Sequence, residues 1–339
     1  MPALTTLRGL LAHCDWGRDR LLTVAAALPE ETLDRASPVG PGSIRAVLQH
    51  LWRAERYWLD RWKSGLDAAD DVTGAESSVP RLADQFRRLA AERNAFLDAG
   101  GPAFESHPIT FHSLWHRDAT YPLGDMMLHV ANHATHHRAQ AVNMLRHAGV
   151  KPPALDYLVM RRDPDVSTVT YDPPTIAEYF RYGDWANDRV FEVAATLDDE
   201  ALDHPFAMGL GSLRTTLLHI HAAERWWLDH WRGVASHPFP PPAPTTSVAE
   251  LREAWSETIA GRDDLLRVAT AEDLERPVTV QPRPDRSFTF AVGDTMLQLG
   301  GHGTHHRAQA INMMRHLDLE PPMIDLMLWA EPVEAPGAS

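Results

Sequence analysis

The sequence repeats itself at an offset of 169 residues, from one half of the chain to the other. The stretch HATHHRAQAVNMLRH begins at His133, and HGTHHRAQAINMMRH begins at His302, with three differences in fifteen positions. His50 and His219 are related by the same offset. Repeats of solenoid proteins are about 20–45 residues long, whereas a unit of this length can bury a core of its own. We therefore predict two tandem domains.

A stretch without helical periodicity separates the two copies. Residues 163–174 have the sequence DPDVSTVTYDPP, in which proline and aspartate favour turns. We place the first domain at residues 1–165 and the second at residues 170–332. The segment that follows the last helix of the first copy, residues 151–163, is expected to pack back on its own domain.

Each copy contains four segments with apolar residues at the spacing of an α-helix. In the first copy these are Leu4–Leu28, Ser43–Gly65, Pro80–Asp98 and Asp125–His147. The residues between His107 and Leu123 are rich in threonine and aromatic side chains, which favours two short strands. The predicted fold class is all-α, with two tandem four-helix bundles that each have a short β-hairpin or irregular segment before the last helix. In the second copy we expect an extended loop at the proline-rich stretch His237–Pro244.

Composition limits the classes of partner. The net charge of −14 argues against a nucleic-acid-binding surface, which usually has a basic footprint. The single cysteine, Cys14, cannot form an internal disulfide, and a structural zinc site made of thiolates is excluded. No run approaches the roughly 18 apolar residues of a membrane span, and the N-terminal residues lack the layout of a signal peptide. We expect a cytoplasmic protein that acts on a small molecule and binds neither nucleic acid nor membranes.

A pair of histidines four residues apart occurs in the last predicted helix of each copy. The pairs are His133 with His137 and His302 with His306, and residues at this spacing lie on one face of a helix. That face is otherwise largely apolar, so it is expected to point into the bundle, where unsatisfied imidazoles are costly. A metal ion would satisfy both rings. A hydrogen bond to a backbone carbonyl, or a surface position, would also account for the pair.

A further histidine in the second helix strengthens the metal hypothesis. Helices two and four can be neighbours in a bundle, so His50 can reach the first pair and His219 the second. Three histidines with one vacant position are typical of catalytic zinc sites, whereas structural sites are closed and usually contain cysteine. The predicted metal ligands are His50, His133 and His137 in the first copy, and His219, His302 and His306 in the second.

Four other residues are candidates for holding the ligands in place. Asp125 and Asp294 open the last helices, where the helix dipole favours acidic residues, and a carboxylate can also orient a ligand imidazole. His136 and His305 lie one position from the ligand row, so they either support the ligands or are exposed. No catalytic residue can be assigned from the sequence.

Two more pairs remain open at this point. Glu55 and Glu224 follow the second-helix histidines by five residues, about 140° around the helix, which favours a structural role over that of a general base. Gln140 and Gln309 are candidates either for binding a substrate carboxylate or for linking helices.

The motif H-x-x-x-H-H-R-x-Q after L-G-D-x-x-L, with an upstream H-x(4)-E-x-x-W segment that begins at His50, resembles the DinB/YfiT-like metal-dependent superfamily. The resemblance covers nearly the whole chain as two tandem copies. It implies a four-helix bundle in each copy, with a divalent metal, zinc or nickel, held by the three histidines. Because members of the family often dimerise, it also implies an intramolecular pseudo-dimer of the two bundles. Ala139 and Ala308 stand where the family commonly has glycine.

The resemblance to thiol-dependent members favours an enzyme that uses a low-molecular-weight thiol for S-transfer or isomerisation at the metal. A metal-dependent hydrolase is an alternative, since an open metal position can lower the pKa of bound water to about 7. A non-catalytic metal-binding or interaction module, and a metal-free bundle with satisfied core histidines, are the remaining hypotheses.

Overall fold

A computed structural model describes residues 2–333 except residues 70, 102, 113–117, 164–165, 167–168, 235–237, 241–245 and 284. The helices of the first repeat are α1 (Pro2–Ala25), α2 (Glu30–Leu33), α3 (Ile44–Ser64), α4 (Val79–Ala99), α5 (Leu123–His147) and α6 (Tyr157–Met160). Those of the second are α7 (Pro173–Ala194), α8 (Asp199–Leu202), α9 (Leu213–Trp231), α10 (Val248–Val268), α11 (Ala271–Glu275), α12 (Val292–His316) and α13 (Leu326–Trp329). The strands are β1 (Pro108–Phe111), β2 (Ala119–Pro122), β3 (Pro277–Arg283) and β4 (Arg286–Ala291).

The all-α prediction is confirmed, with four long helices in each repeat. In the first repeat α3 packs against α4 and α5, and in the second repeat α9 packs in the same way against α10 and α12. The Ser43 side chain caps α3 by accepting a hydrogen bond from the backbone N–H of Ala46 at 3.1 Å. Each repeat has the predicted antiparallel hairpin, β1–β2 and β3–β4, directly before its last helix. None of the helices that the structure describes is both long and apolar enough to span a membrane.

Proline-rich residues of the second repeat were expected to form an extended loop. Only residues 238–240 of that stretch are described, and they have no regular secondary structure; the rest of the predicted loop lies outside the described residues. One glycine of α12 has a direct structural explanation. A side chain at Gly300 would lie 2.4 Å from the Tyr179 ring, so the missing Cβ allows α7 and α12 to approach closely.

Buried ion pairs link the first and third long helices of each repeat. Arg93 on α4 donates to the Asp15 carboxylate on α1 at 2.6 Å. The equivalent pair in the second repeat is Arg262 with Asp184, at 2.5 Å. Because the arginine side chains are only 6% and 2% exposed, each needs its carboxylate partner to offset the loss of hydration.

The chain forms two compact units, and each contains one short C-terminal segment of the other repeat. The first unit comprises residues 3–155 with the described part of the C-terminal segment, Asp325–Val333. The second unit comprises residues 156–324. In the first unit α13 packs against α5, and in the second unit α6 packs against α12. We call Asp156–Asp163 and Asp325–Val333 the exchanged segments.

The expectation that residues 151–163 pack on their own bundle is therefore wrong beyond Leu155. Pro152 and Pro153 keep the chain extended after α5, which prevents a tight return. The apolar side chains of Tyr157 and Met160 are instead buried in the second unit, where they are 2% and 1% exposed. Burial of two such side chains contributes a few kcal/mol to the stability of that unit.

Polar contacts fix the exchanged segments at equivalent positions in the two units. In the second unit Gln298 Nε2 donates to Asp156 Oδ1 at 3.1 Å. In the first unit the residues at the same positions also pair, His129 Nδ1 with Asp325 Oδ1 at 3.2 Å. His129 and Gln298 occupy equivalent positions of the two repeats, and each contacts the equivalent aspartate. Either side chain can make this polar contact, although the two differ in chemistry.

We expect Arg93→Met to lower the free energy of unfolding by about 3 kcal/mol, because it leaves the largely buried Asp15 carboxylate with only part of its compensation. Urea denaturation of the metal-free protein measures the change. Arg87→Met is the matched control on the same helix. It removes an exposed pair with Asp84 and should change the free energy by less than about 0.5 kcal/mol. Equal denaturation midpoints for the two variants would contradict the role of the buried pair.

Candidate metal centres

Helix α5 places two histidines on its buried face, and α3 brings a third. His133 and His137 are one turn apart on a row that also contains Met126 and Val130, which are 0% and 4% exposed. The packing of α3 against α5 brings His50 opposite this row. The apolar periodicity that drives α5 into the bundle therefore also directs the imidazoles inward.

The ring nitrogens of the first group converge on one point. His50 Nε2 lies 3.2 Å from His133 Nε2 and 3.2 Å from His137 Nε2. Tetrahedral zinc with Zn–N bonds of about 2.0–2.1 Å requires nitrogens about 3.3–3.4 Å apart. The first group therefore fits a divalent metal in both donor type and spacing.

The second group repeats this arrangement. His219 Nε2 and His302 Nε2 lie 3.0 Å apart, and the His306 ring centroid is 4.7 Å from that of His219 and 4.4 Å from that of His302. In each group one nitrogen of every histidine lies within 4.8 Å of the other two. The structure thus brings together all six predicted ligands as two groups of three that can each hold a divalent metal.

Burial keeps these imidazoles neutral. The pKa of His302 is lowered to about 3, mainly by burial and in addition by the neighbouring imidazoles. Burial likewise lowers the pKa of His133 and of His306 well below the ordinary value, again with a contribution from nearby histidines. At neutral pH the rings therefore have free lone pairs, which is the protonation state that binds a metal.

Glutamine side chains orient one ligand of each group. Gln140 Oε1 lies 2.8 Å from His137 Nδ1, and since the amide oxygen only accepts, the proton is on Nδ1 and the lone pair on Nε2. Gln309 does the same for His306, at 2.8 Å. A partner on the far ring nitrogen usually fixes the tautomer of a metal-bound histidine. Each glutamine follows its histidine by three residues on the helix, and this spacing was the sequence signal for the contact. The roles considered for these glutamines from the sequence alone were instead substrate binding and helix linkage.

The structure separates the four candidate supporting residues into two kinds. His136 Nε2 accepts from Gln140 Nε2 at 3.1 Å, and His305 Nε2 accepts from Gln309 Nε2 at 3.0 Å, so both histidines support a ligand through its glutamine. His136 and His305 therefore act on the ligands indirectly, through Gln140 and Gln309.

The two aspartates lie elsewhere. Asp294 pairs with Arg161 of an exchanged segment at 2.8 Å. Asp125 is at the start of α5, where its charge adds to burial in raising the pKa of Tyr121. Each aspartate precedes the first ligand histidine of its helix, His133 or His302, by eight residues, which is about 12 Å along the axis. Both carboxylates are therefore remote from the ligand nitrogens.

The buried glutamates are held by structural partners. Arg18 donates to Glu55 Oε2 at 3.2 Å. In the second repeat Asn187 replaces that arginine, and Trp255 Nε1 donates to Glu224 Oε2 at 2.9 Å instead. Burial raises the pKa of Glu224 to about 7, against the opposing charge of Arg262. These contacts support the structural role expected from the helical angle.

A cavity of about 330 Å³ lies beside the first group of histidines, entirely within the first unit. We call it the first cavity. The residues that border it include His50, His133, Tyr57, Trp58, Phe111, His129, Asp325 and Met327. His129 and Asp325 were not among the predicted site residues, because His129 is replaced by glutamine in the second repeat and Asp325 is far along the chain. Only the packing of the exchanged segment reveals them.

We expect the metal-loaded chain to contain about two equivalents of divalent metal, one for each group. His137→Ala and His306→Ala should each leave about one equivalent, because removal of one of three ligands destroys only its own group. Elemental analysis after metal loading and desalting gives the count. His147→Ala, at the exposed end of α5, is the control that should retain both metals. Loss of both metals from either ligand variant would mean that the two groups are coupled.

Comparisons with known proteins agree with the repeat. The DinB family profile matches residues 1–165 and again residues 167–336. Protein DinB of Bacillus subtilis (strain 168) is 24% identical over 150 residues, which cover 42% of this chain and 86% of that protein. No solved structure matches the chain. The chain belongs to the DinB family and contains two copies of its domain.

Proposed function

We propose that the protein is a metal-dependent enzyme that binds one divalent ion, zinc or nickel, in each bundle and transfers or isomerises substrates with a small thiol. The observation that supports it most is the first cavity, which is bordered by His50 and His133 of the convergent group and is large enough for a small molecule. A metal held there supplies a Lewis acid that favours the anionic form of the thiol.

The donor set fits this proposal. Three neutral nitrogen ligands and no sulfur are typical of catalytic zinc sites, in which a position is left for substrate. In the described part of the chain each group comprises three side chains, so a fourth position is available to a ligand from solution. A fourth protein ligand would instead support a metal that only stabilises the bundle.

The residues around the first cavity have separable tasks. Gln140 holds His137 in the tautomer that presents Nε2. Trp58 and Phe111 form an edge-to-face pair, with centroids 5.4 Å apart, that gives the cavity an apolar wall and limits the entry of water. An apolar wall suits a polarisable thiol and strengthens its electrostatic interaction with a cation.

The hydrolase is kept as a second candidate because of one observation. His129 Nδ1 and Asp325 Oδ1 lie 3.2 Å apart at the cavity wall, and a carboxylate beside an imidazole can orient it for proton transfer. Water needs a base more than a thiol does, since its pKa of about 15.7 far exceeds the thiol value of about 8–9. Thiol dependence of the product therefore separates the two candidates.

The test is to incubate the zinc- or nickel-loaded chain with a panel of small thiols, each combined with electrophiles or esters. Mass spectrometry then identifies the products and measures the rate of turnover. We expect a thiol-containing or isomerised product that requires both thiol and metal. The double variant His137→Ala with His306→Ala should lower the rate about 100-fold or more, since loss of a Lewis acid removes several kcal/mol of stabilisation. Gln140→Ala should lower activity at the first group by about 10–100-fold.

His147→Ala is the matched control and should retain full activity. Products that form without thiol but require metal would favour the hydrolase. Metal binding without turnover of any member of the panel would favour the non-catalytic module and contradict the enzyme proposal.

A further inference from the structure

The two metal centres differ in what lies beside them. Next to the first, the cavity reaches His50 and Tyr57 of α3. The residues at the same positions of the second repeat are His219 and Trp226. There the ring of Phe239 packs against both, with centroid distances of 5.4 Å to His219 and 5.8 Å to Trp226. Phe239 therefore fills the space that corresponds to the first cavity.

The charged residues at the two centres also differ. Arg53 lies on α3 less than one turn from His50, borders the first cavity and is exposed to solvent. Within the described part of the chain it has no hydrogen bond or ion pair with another residue. The second repeat has Ala222 at this position.

The carboxylate of Asp325, which borders the first cavity, already has partners for its charge. Asp325 Oδ1 accepts from the backbone N–H of Met327 at 2.8 Å and pairs with His129 at 3.2 Å. The remaining walls are largely apolar, with Trp58, Phe111 and Met327 at 9%, 2% and 3% exposure. Within the described residues, the cavity thus combines a cation without an ion pair at its border, Arg53, with an apolar interior.

We propose that the two centres have diverged, so that only the first takes substrate: a small molecule with an apolar body and a carboxylate. The carboxylate binds Arg53, and the apolar body lies against Trp58, Phe111 and Met327. Phe239 closes the second centre to the same ligand. The inference rests on the proposed function and adds to it the class of substrate and the centre that binds it.

The test is calorimetric titration of the zinc-loaded chain with hydrocinnamate and, separately, with its neutral amide. We expect about one equivalent of hydrocinnamate per chain and about tenfold weaker binding of the amide, which is the effect of one charge-assisted contact. Arg53→Met should remove the preference for the carboxylate. Arg81→Met, at an exposed position of α4, is the matched control and should retain it.

Phe239→Ala should admit a second equivalent of hydrocinnamate that binds about tenfold more weakly than the first, because the second centre has Ala222 in place of Arg53. Phe239→Leu is a milder variant in case the first does not fold. Both are to be titrated only after elemental analysis confirms two metals per chain. Two equivalents bound to the unaltered chain, no binding, or an unchanged carboxylate preference in Arg53→Met would each overturn the inference. These results are independent of turnover with thiols, so failure of the proposed chemistry and failure of this inference are distinguishable.

Discussion

Three imidazole nitrogens that face one another about 3 Å apart in a half-buried site are poorly satisfied by hydrogen bonds alone. A single N–H among them can serve only one neighbour at a time, and protonation of the rings is opposed by burial and by mutual repulsion. A divalent cation satisfies all three nitrogens at once. The packing of α3 against α5 brings His50 onto the row of His133 and His137 and so creates this need for a cation. The same arrangement occurs in the second repeat.

The duplication also makes each unit depend on both repeats. Each unit includes a short helix from the far end of the other repeat, held at the same position by a polar contact and by buried apolar side chains. In the first unit that segment supplies Asp325 and Met327 to the cavity beside the metal centre. A change in the C-terminal residues of the second repeat can therefore affect a site whose candidate metal ligands all belong to the first.

Local patterns in the sequence were sufficient to predict the long helices and the two groups of histidine ligands. The cap at Ser43, the apolar spacing of α5 and the four-residue histidine pairs each depend on residues close together in the chain, and the repeat fixed which histidine completes each group. The exchanged segments were missed, because nothing local distinguishes a segment that returns to its own bundle from one that crosses to another. His129 was missed because Gln298 replaces it in the second repeat, and its partner Asp325 is remote in sequence.

The central claim is that each bundle holds a metal through three imidazoles and leaves one position open. X-ray absorption spectroscopy of the zinc-loaded chain tests it most directly. We predict about three imidazole nitrogens per zinc at about 2.0–2.1 Å, with one further light ligand that is replaced by sulfur when a small thiol is added. Four imidazole or carboxylate ligands from the protein, or fewer than three imidazoles per zinc, would contradict the account.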